Sequence, residues 1–285
     1  MKKIGITTDC VCDLPEAFYR LHDIGIVYFY ITTDTGRFRD GFEIASENVI
    51  EYLENGGHKA ETNAPAPEEY MGFFENALKK YDEIVHISIT SKVSNSCPNA
   101  AAAVEKMGEN GKRVHVVDSY HLSTGMGHMV IKAVELRDAG KSAAEIAEEL
   151  YSMRERVSTS FITMDADYLY RNGKTSRFVS RLCTSFNLHP VLMLKDGRMT
   201  LKTIKVGRYD KAMLRYVRGE LRINRRIDKT RLFITYAGCS VKLVNEIRAE
   251  TERLCRFDEV IVTKASATVS GNCGPGTLGV LFVYE

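Results

Sequence analysis

The sequence contains no apolar run approaching the roughly 20 residues that cross a bilayer, and Met1-Lys2-Lys3 leads straight into Ile4 without the apolar core of a signal peptide. These absences predict a soluble, cytoplasmic protein. A strong net charge is also missing. Lys and Arg number 39 against 37 Asp and Glu, a balance of +2, so no global field gathers nucleic acid or an acidic membrane. The seven cysteines are odd in number and scattered, and read as reduced thiols instead of a disulfide framework. Cys10 and Cys12 form a C-x-C pair, but no second pair follows at metal spacing, which argues against zinc. Two nucleotide motifs are incomplete. Gly173-Lys174-Thr175 spells the end of a phosphate loop, yet Tyr168 stands where that loop needs its first glycine. Gly125-x-Gly127 lacks the third glycine of a dinucleotide fingerprint and reads as helix packing.

What is present begins with enough apolar residues, 44% of 285, to build a large core or two. The stretch from Glu83 to Met107 organises the chain. It starts as a strand, with Ile84, Val85, Ile87 and Ile89, and ends as a helix around Ala100 to Ala103. Between them lies a hydroxyl-rich turn containing Thr90, Ser91, Ser94, Asn95 and Ser96, with Pro98 suited to the first helical position. Open α/β sheets bind ligands outside the carboxyl ends of such strands. The turn offers hydroxyls and helix-start N–H groups to a carboxyl group, without the glycines that let a phosphate come close. The same residues also suit a plain capped helix with a polar loop.

Before this stretch the sequence predicts a strand at Ile4 to Thr7 presenting Asp9, a helix opened by Asp13-Leu14-Pro15, and a second strand from Ile24 to Ile31. A turn then leads to Arg39-Asp40-Gly41, Ser46 caps a helix, and prolines hold Thr62 to Pro67 extended. Tyr70, Phe74, Ala77, Leu78 and Tyr81 share one helical face. After it come a strand at Arg113 to Val117, a helix from Thr124 to Ala139 and a capping box, Ser142 to Glu145. This alternation predicts an α/β domain over residues 1–156, Rossmann-like, with a parallel sheet covered on both faces. From Val157 the rhythm changes to a short helix at Asp165 to Arg171 and a hairpin at Pro190 to Ile204 turning at Asp196-Gly197. A basic helix from Tyr209 to Asn224 and strands at Leu232, Val260 and Leu278 follow, predicting a smaller α+β domain over 157–285.

Two other chemistries are open on the residues alone. Cys97 at a helix start could be the activated nucleophile of a cysteine-dependent hydrolase, with His86, His115 or His121 as base. Arg215, Arg218, Arg222, Arg225 and Arg226 recur at helical spacing and could dock an acidic protein in a protein-interaction module.

Taken in order, several motifs resemble the DegV family of bacterial fatty-acid-binding proteins. They are Ile6-Thr7-Thr8-Asp9 with Asp13-Leu14-Pro15, Thr62 followed by Pro65 and Pro67, Ile89-Thr90-Ser91-Lys92-Val93-Ser94, and Val116-Val117-Asp118-Ser119. Asn172-Gly173-Lys174-Thr175-Ser176, the Pro190 to Gly197 hairpin, Gly238 and Gly274-Pro275-Gly276 complete them. The resemblance implies a long-chain fatty acid buried between the two domains, its carboxyl group held by Thr62 and Ser94, with Ser91, Asn95, Lys174 and Asn272 nearby. It implies a non-catalytic carrier without cofactor or metal, presenting the carboxylate to a separate fatty acid kinase. The usual turn, Ser-Gly-Thr-Tyr-Gln-Ser, is replaced here by Ser94-Asn95-Ser96-Cys97-Pro98-Asn99. Where relatives carry His before the Gly-Pro-Gly turn, Asn272 or Cys273 stands, and Lys174 replaces an Arg.

Overall fold

Runs of β-branched residues bounded by polar ends pair into three sheets in the computed structural model, which describes residues 2–56, 60–164, 166, 168, 185–222 and 226–285. In the first sheet β1 (Ile4–Asp9), β2 (Gly25–Val27), β6 (Glu83–Ser88) and β7 (Val114–Asp118) run parallel in the order β2-β1-β6-β7. Helices α3 (Pro67–Ala77) and α4 (Ser96–Lys106) cover one face, packing Tyr70, Phe74, Ala100 and Ala103 on Val27, Ile84 and Val114. On the other face α5 (Ser123–Asp138) and α6 (Ala143–Met153) pack on Ile6, Val85 and Ile87. Because strand side chains alternate, Ile84 and Val85 serve opposite faces, as a buried parallel sheet requires. The expected α/β pattern with a covered parallel sheet is therefore present. A small helix, α1 (Glu16–Leu21), follows a turn of 3-10 helix at Cys10–Cys12.

The expected single strand from Ile24 to Ile31 is in fact two. After β2 the chain leaves the first sheet and forms β3 (Tyr30–Thr33), which pairs with β4 (Gly36–Arg39) and β5 (Glu61–Asn63) in an antiparallel sheet of its own. The Thr62 segment is thus the edge of a sheet, held in register by Ile31, and not merely a proline-stiffened linker. Helix α2 (Ser46–Glu54) lies against this small sheet through Val49 and Leu53. Ser46 does not cap it: Ala45 occupies that position and the Asn48 side chain accepts the Ala45 N–H at 3.0 Å.

The second large sheet is mixed. It joins β8 (Val157–Ser158), β9 (Ser160–Ile162), β10 (Leu188–Lys195), β11 (Arg198–Val206), β12 (Ile227–Ala237), β13 (Glu259–Lys264) and β14 (Thr277–Tyr284). Helices α7 (Tyr209–Leu221) and α8 (Val241–Leu254) pack on one face through Tyr216, Val217, Val244 and Ile247. The basic helix stops at Leu221, short of the expected Asn224. One further helix, α9 (Ala267–Cys273), was not expected from a stretch rich in Ser, Thr and Gly. The expected short helix at Asp165 to Arg171 lies largely outside the described residues.

Helix α5 sits between the two large sheets and is buried on nearly all sides, touching β1 and β6 on one flank and β12 and β14 on the other. A single apolar core therefore runs from Ile6 and Ile87 through Met126, Met129 and Val130 to Phe233 and Leu281. Gly125 and Gly127 make this possible. A Cβ on Gly125 would fall 1.9 Å from Thr159 Oγ1, and one on Gly127 3.0 Å from Leu14, so both glycines serve close packing as their spacing suggested. Among the described residues no helix is long and apolar enough to cross a membrane.

Candidate functional site

The parallel sheet reverses its strand order between β1 and β6, and the crevice at such a switch point is where open α/β sheets take their ligands. Asp9 ends β1 there and is wholly buried. Its Oδ1 accepts from Tyr70 Oη at 2.7 Å. Its Oδ2 accepts from Ser88 Oγ at 2.7 Å, Ser96 Oγ at 2.7 Å and the Ile89 N–H at 2.9 Å. The imidazole of His86, whose Nδ1 meets Thr7 Oγ1 at 3.0 Å, places Nε2 3.5 Å from Oδ1, beyond hydrogen-bond geometry but close enough to act electrostatically. Burial pushes the Asp9 carboxyl up, but His86, Ser96 and Tyr70 outweigh it and hold the group below its ordinary value. Asp9 so ties β1, β6, α3 and the start of α4 into one knot beneath the loop that carries Ser94.

That loop is fixed from three sides. Thr90 N–H donates to the carbonyl of His121 at 2.9 Å, and Thr90 Oγ1 donates to the carbonyl of Gly197 at the β10–β11 turn, also at 2.9 Å. The Ser91 N–H faces the Asp118 carboxylate at 3.3 Å. Ser94 Oγ accepts the Ser96 N–H at 3.2 Å, closing the first turn of α4. This helix starts at Ser96, two residues before the position expected from Pro98, which sits harmlessly within the first turn. Asn95, exposed, occupies the cap position without a side-chain bond to the helix.

The second polar segment comes from β5. Thr62 is half-buried, and its Oγ1 accepts from Asn272 Nδ2 at 3.2 Å, joining β5 to the end of α9 across 210 residues of chain. Asn99 on α4 donates to the Pro65 carbonyl at 2.7 Å, so the chain just after Thr62 is bonded to the helix just after Ser94. The structure thus brings Thr62 and Asn272 into contact and lays their segment against the Ser94 helix. Ser91 belongs to the same loop but is engaged with Asp118. Lys174 lies outside the described residues. Of the two candidates before the Gly-Pro-Gly turn, Asn272 is the one that reaches Thr62, whereas Cys273 faces the interior.

Beside Cys273 a narrow cavity of about 30 Å³ opens between the second large sheet, α9 and the head of α5. Its lining includes Leu122, Phe161, Ala237, Val269, Cys273 and Leu281, and is mostly carbon. Val269 and Cys273, one helical turn apart, make α9 one wall of this slot, while the neighbouring Asn272 reaches Thr62. Sequence reasoning missed α9 and the role of Asp9. Ser266, whose Oγ accepts the Val269 N–H at 3.3 Å, was the available signal for the former.

The hydrolase reading is not supported by the environment of Cys97. Burial first, then the nearby carboxylates of Asp118 and Asp9, push its thiol up to about 12, the reverse of what a nucleophile needs. His86 and His121 are engaged elsewhere, His121 with Thr159 at 2.9 Å and the Arg154 carbonyl at 2.8 Å. The arginine series is likewise dispersed. Arg218 is paired with Glu250 at 2.6 Å and Arg226 with Glu285 at 3.6 Å, Arg215 donates to the Val206 carbonyl, and Arg225 lies outside the described residues.

Comparison with known proteins bears on these features. A family model described as "Uncharacterised protein, DegV family" matches residues 3–285. A DegV domain-containing protein of Caldanaerobacter subterraneus is 31% identical over 283 residues, 99% of each chain. Among solved structures, one described as "Fatty Acid Binding of a DegV family Protein from Thermus thermophilus" superposes with a TM-score of 0.86 at 28% identity, covering 99% of this chain and 100% of that one. The Streptococcus pneumoniae Fatty Acid Kinase (Fak) B3 protein loaded with linoleic acid superposes at 0.85 with 19% identity, covering 99% and 100%, a likeness of fold.

Proposed function

The chain belongs to the DegV family, and from that premise we propose that it binds a long-chain fatty acid, with the carboxyl group at Thr62 and Ser94 and the tail in the slot walled by α9 and the second large sheet. The observation that carries this reading is the state of the two hydroxyls. Thr62 Oγ1 and Ser94 Oγ each accept one hydrogen bond from the protein, from Asn272 and from the Ser96 N–H. Each therefore keeps its O–H proton for an outside acceptor, and a carboxylate is an acceptor on both oxygens. Both residues are only half-buried, so the head group they hold remains reachable from solvent.

The tail supplies the affinity. About fourteen methylenes at ~0.8 kcal/mol each give a gross gain of order 10 kcal/mol before the costs of ordering and association. The head group then needs orientation more than strength, and two hydroxyls meet that need without an arginine. A cavity of about 30 Å³ holds roughly two waters, so a full tail enters by parting its walls. An accessible head group above a buried tail also suits delivery of the carboxylate to a fatty acid kinase. Support for this lies in the motif order, in the fatty-acid binding named for the Thermus thermophilus relative, and in the exposed mouth.

The double variant Thr62→Ala/Ser94→Ala tests the site. Titration with a fluorescent long-chain fatty acid is expected to show binding weakened by roughly 10- to 100-fold, as loss of two hydrogen bonds of about 1 kcal/mol each at a solvent-reachable head group implies, with the circular dichroism unchanged. Wild-type affinity in the double variant removes both residues from the site.

A further inference from the structure

Helix α9 lies late in the chain, yet it is held by residues from the first part. Three consecutive N–H groups at its start have carboxylate partners from the N-terminal segment. Ser266 N–H donates to Asp13 Oδ1 at 2.9 Å, Ala267 N–H to Asp40 Oδ1 at 2.9 Å and Thr268 N–H to Asp40 Oδ2 at 2.8 Å. Both carboxylates are buried, Asp40 completely and Asp13 to 5% exposure. Further along, Ser270 Oγ meets Ser46 Oγ at 2.6 Å on α2, and Asn272 reaches Thr62. Asp40 is itself fixed, its N–H donating to the Phe29 carbonyl at 2.9 Å. Asp13 sits in the left-handed region at φ 55°, which Asp tolerates better than most residues, and its other oxygen accepts from Ser123 at the head of α5.

A seven-residue helix containing Ser, Thr and Gly is too short and too poor in helix formers to stand alone. Its geometry depends on what satisfies its first N–H groups. Those groups are satisfied by Asp13 and Asp40, and the helix in turn carries Val269 and Cys273 at the slot wall and Asn272 against Thr62. We propose that Asp13 and Asp40 are positioning residues for the bound acid, which through α9 hold Asn272 against Thr62 and keep the slot wall closed over the tail. This inference rests on the acid-binding reading of Thr62. Neither aspartate touches the ligand. Their effect falls on how long the ligand stays, because releasing α9 frees wall and mouth together.

The test uses the full chain with oleate labelled with 13C at the carboxyl carbon. Asp40→Asn keeps the size of the side chain but replaces one acceptor by a donor facing an N–H. It is expected to raise the oleate dissociation rate roughly tenfold, with a much smaller change in association, and to shift or broaden the bound carboxyl resonance. In an Asn272→Ala background the same substitution is expected to move the carboxyl resonance little, since the link to Thr62 is already gone; a merely structural defect would move it in both backgrounds. Asp13→Asn, which removes one contact and leaves Asp40 in place, is the milder variant if Asp40→Asn does not fold, and is expected to speed release several-fold. Folded variants that release oleate at the wild-type rate with an unmoved carboxyl signal overturn the positioning role while leaving the acid site intact. A wild-type protein that takes up no oleate overturns the acid site and this inference with it.

Discussion

Asp9 and Asp13 stand four positions apart, both buried and both hydrogen-bonded, and their acidities move in opposite directions. At Asp9 four donors and the His86 ring surround one carboxylate, and together they overcome the cost of burying it. At Asp13 burial dominates. Ser123 and the Ser266 N–H lower the pKa, the Asp40 carboxylate raises it, and the group ends at about 7. What separates the two is the number of donors aimed at each and the sign of the nearest charge, since depth is nearly the same. Asp9 locks the loop bearing Ser94 to the parallel sheet. Asp13, poised between charged and neutral, joins that sheet to α9 with a lighter hold.

The contrast can be broken most forcefully at Asp9. Asp9→Ala leaves the hydroxyls of Tyr70, Ser88 and Ser96 and the Ile89 N–H without their acceptor, and is expected to cost about 3–5 kcal/mol in urea unfolding. A loss below about 1 kcal/mol would show that the knot is not what holds the loop.

A smaller effect is expected from Asp13→Asn, read as a function of pH. The unfolded chain ionises Asp13 near 3.8 and the native chain only at about 7, so raising the pH favours unfolding and stability declines from about pH 4 to about pH 7. The variant is expected to lose this slope, which thermal melts at a series of pH values would reveal as a gap that narrows or reverses towards pH 8. In that variant the histidines act against Asp40, whose pKa burial also raises. Burial holds His121 and His128 down to about 4, below the usual 6.5, so the unfolded chain gains protons first as the pH falls. Their contribution is expected to decline from about pH 6.5 towards pH 4 while that of Asp40 runs the other way, so an acid limb that is the same in Asp13→Asn and in Asp13→Asn/His128→Gln would contradict a lowered His128.

The smallest effect concerns Cys97, which lies at the start of α4 above the Asp9 knot. With its thiol pushed up to about 12, iodoacetamide at pH 8 is expected to leave it unlabelled in the native protein, as judged by peptide mass spectrometry. Rapid, selective alkylation would return the cysteine chemistry to consideration.

The parts of this fold legible from sequence are those whose causes are local. The Glu83 to Met107 segment and the Ser142 capping box, where Ser142 Oγ accepts the Glu145 N–H at 3.3 Å, carry their signals within a few residues. The β10–β11 hairpin turns at Asp196-Gly197, as such a dipeptide suggests. The three-stranded sheet was hidden because β3, β4 and β5 are three or four residues long and owe their pairing to partners elsewhere in the chain. The Asp9 knot was hidden for the same reason, its donors lying at Tyr70, Ser88, Ile89 and Ser96. Helix α9 was hidden because Ser266 is its one local cap, and the acceptors for its first three N–H groups come from Asp13 and Asp40, more than 220 residues away. Thr62 and Ser94 were reached through motif order, and chemistry alone identified only the hydroxyl-rich turn.

Binding of a long-chain fatty acid is tested most directly by denaturing the purified protein in organic solvent and measuring the released lipid by mass spectrometry, before and after incubation with oleate. The proposed acid site predicts close to one fatty acid per chain after loading, and much less from Thr62→Ala/Ser94→Ala. A wild-type protein that yields no fatty acid before loading and takes up none afterwards would contradict it.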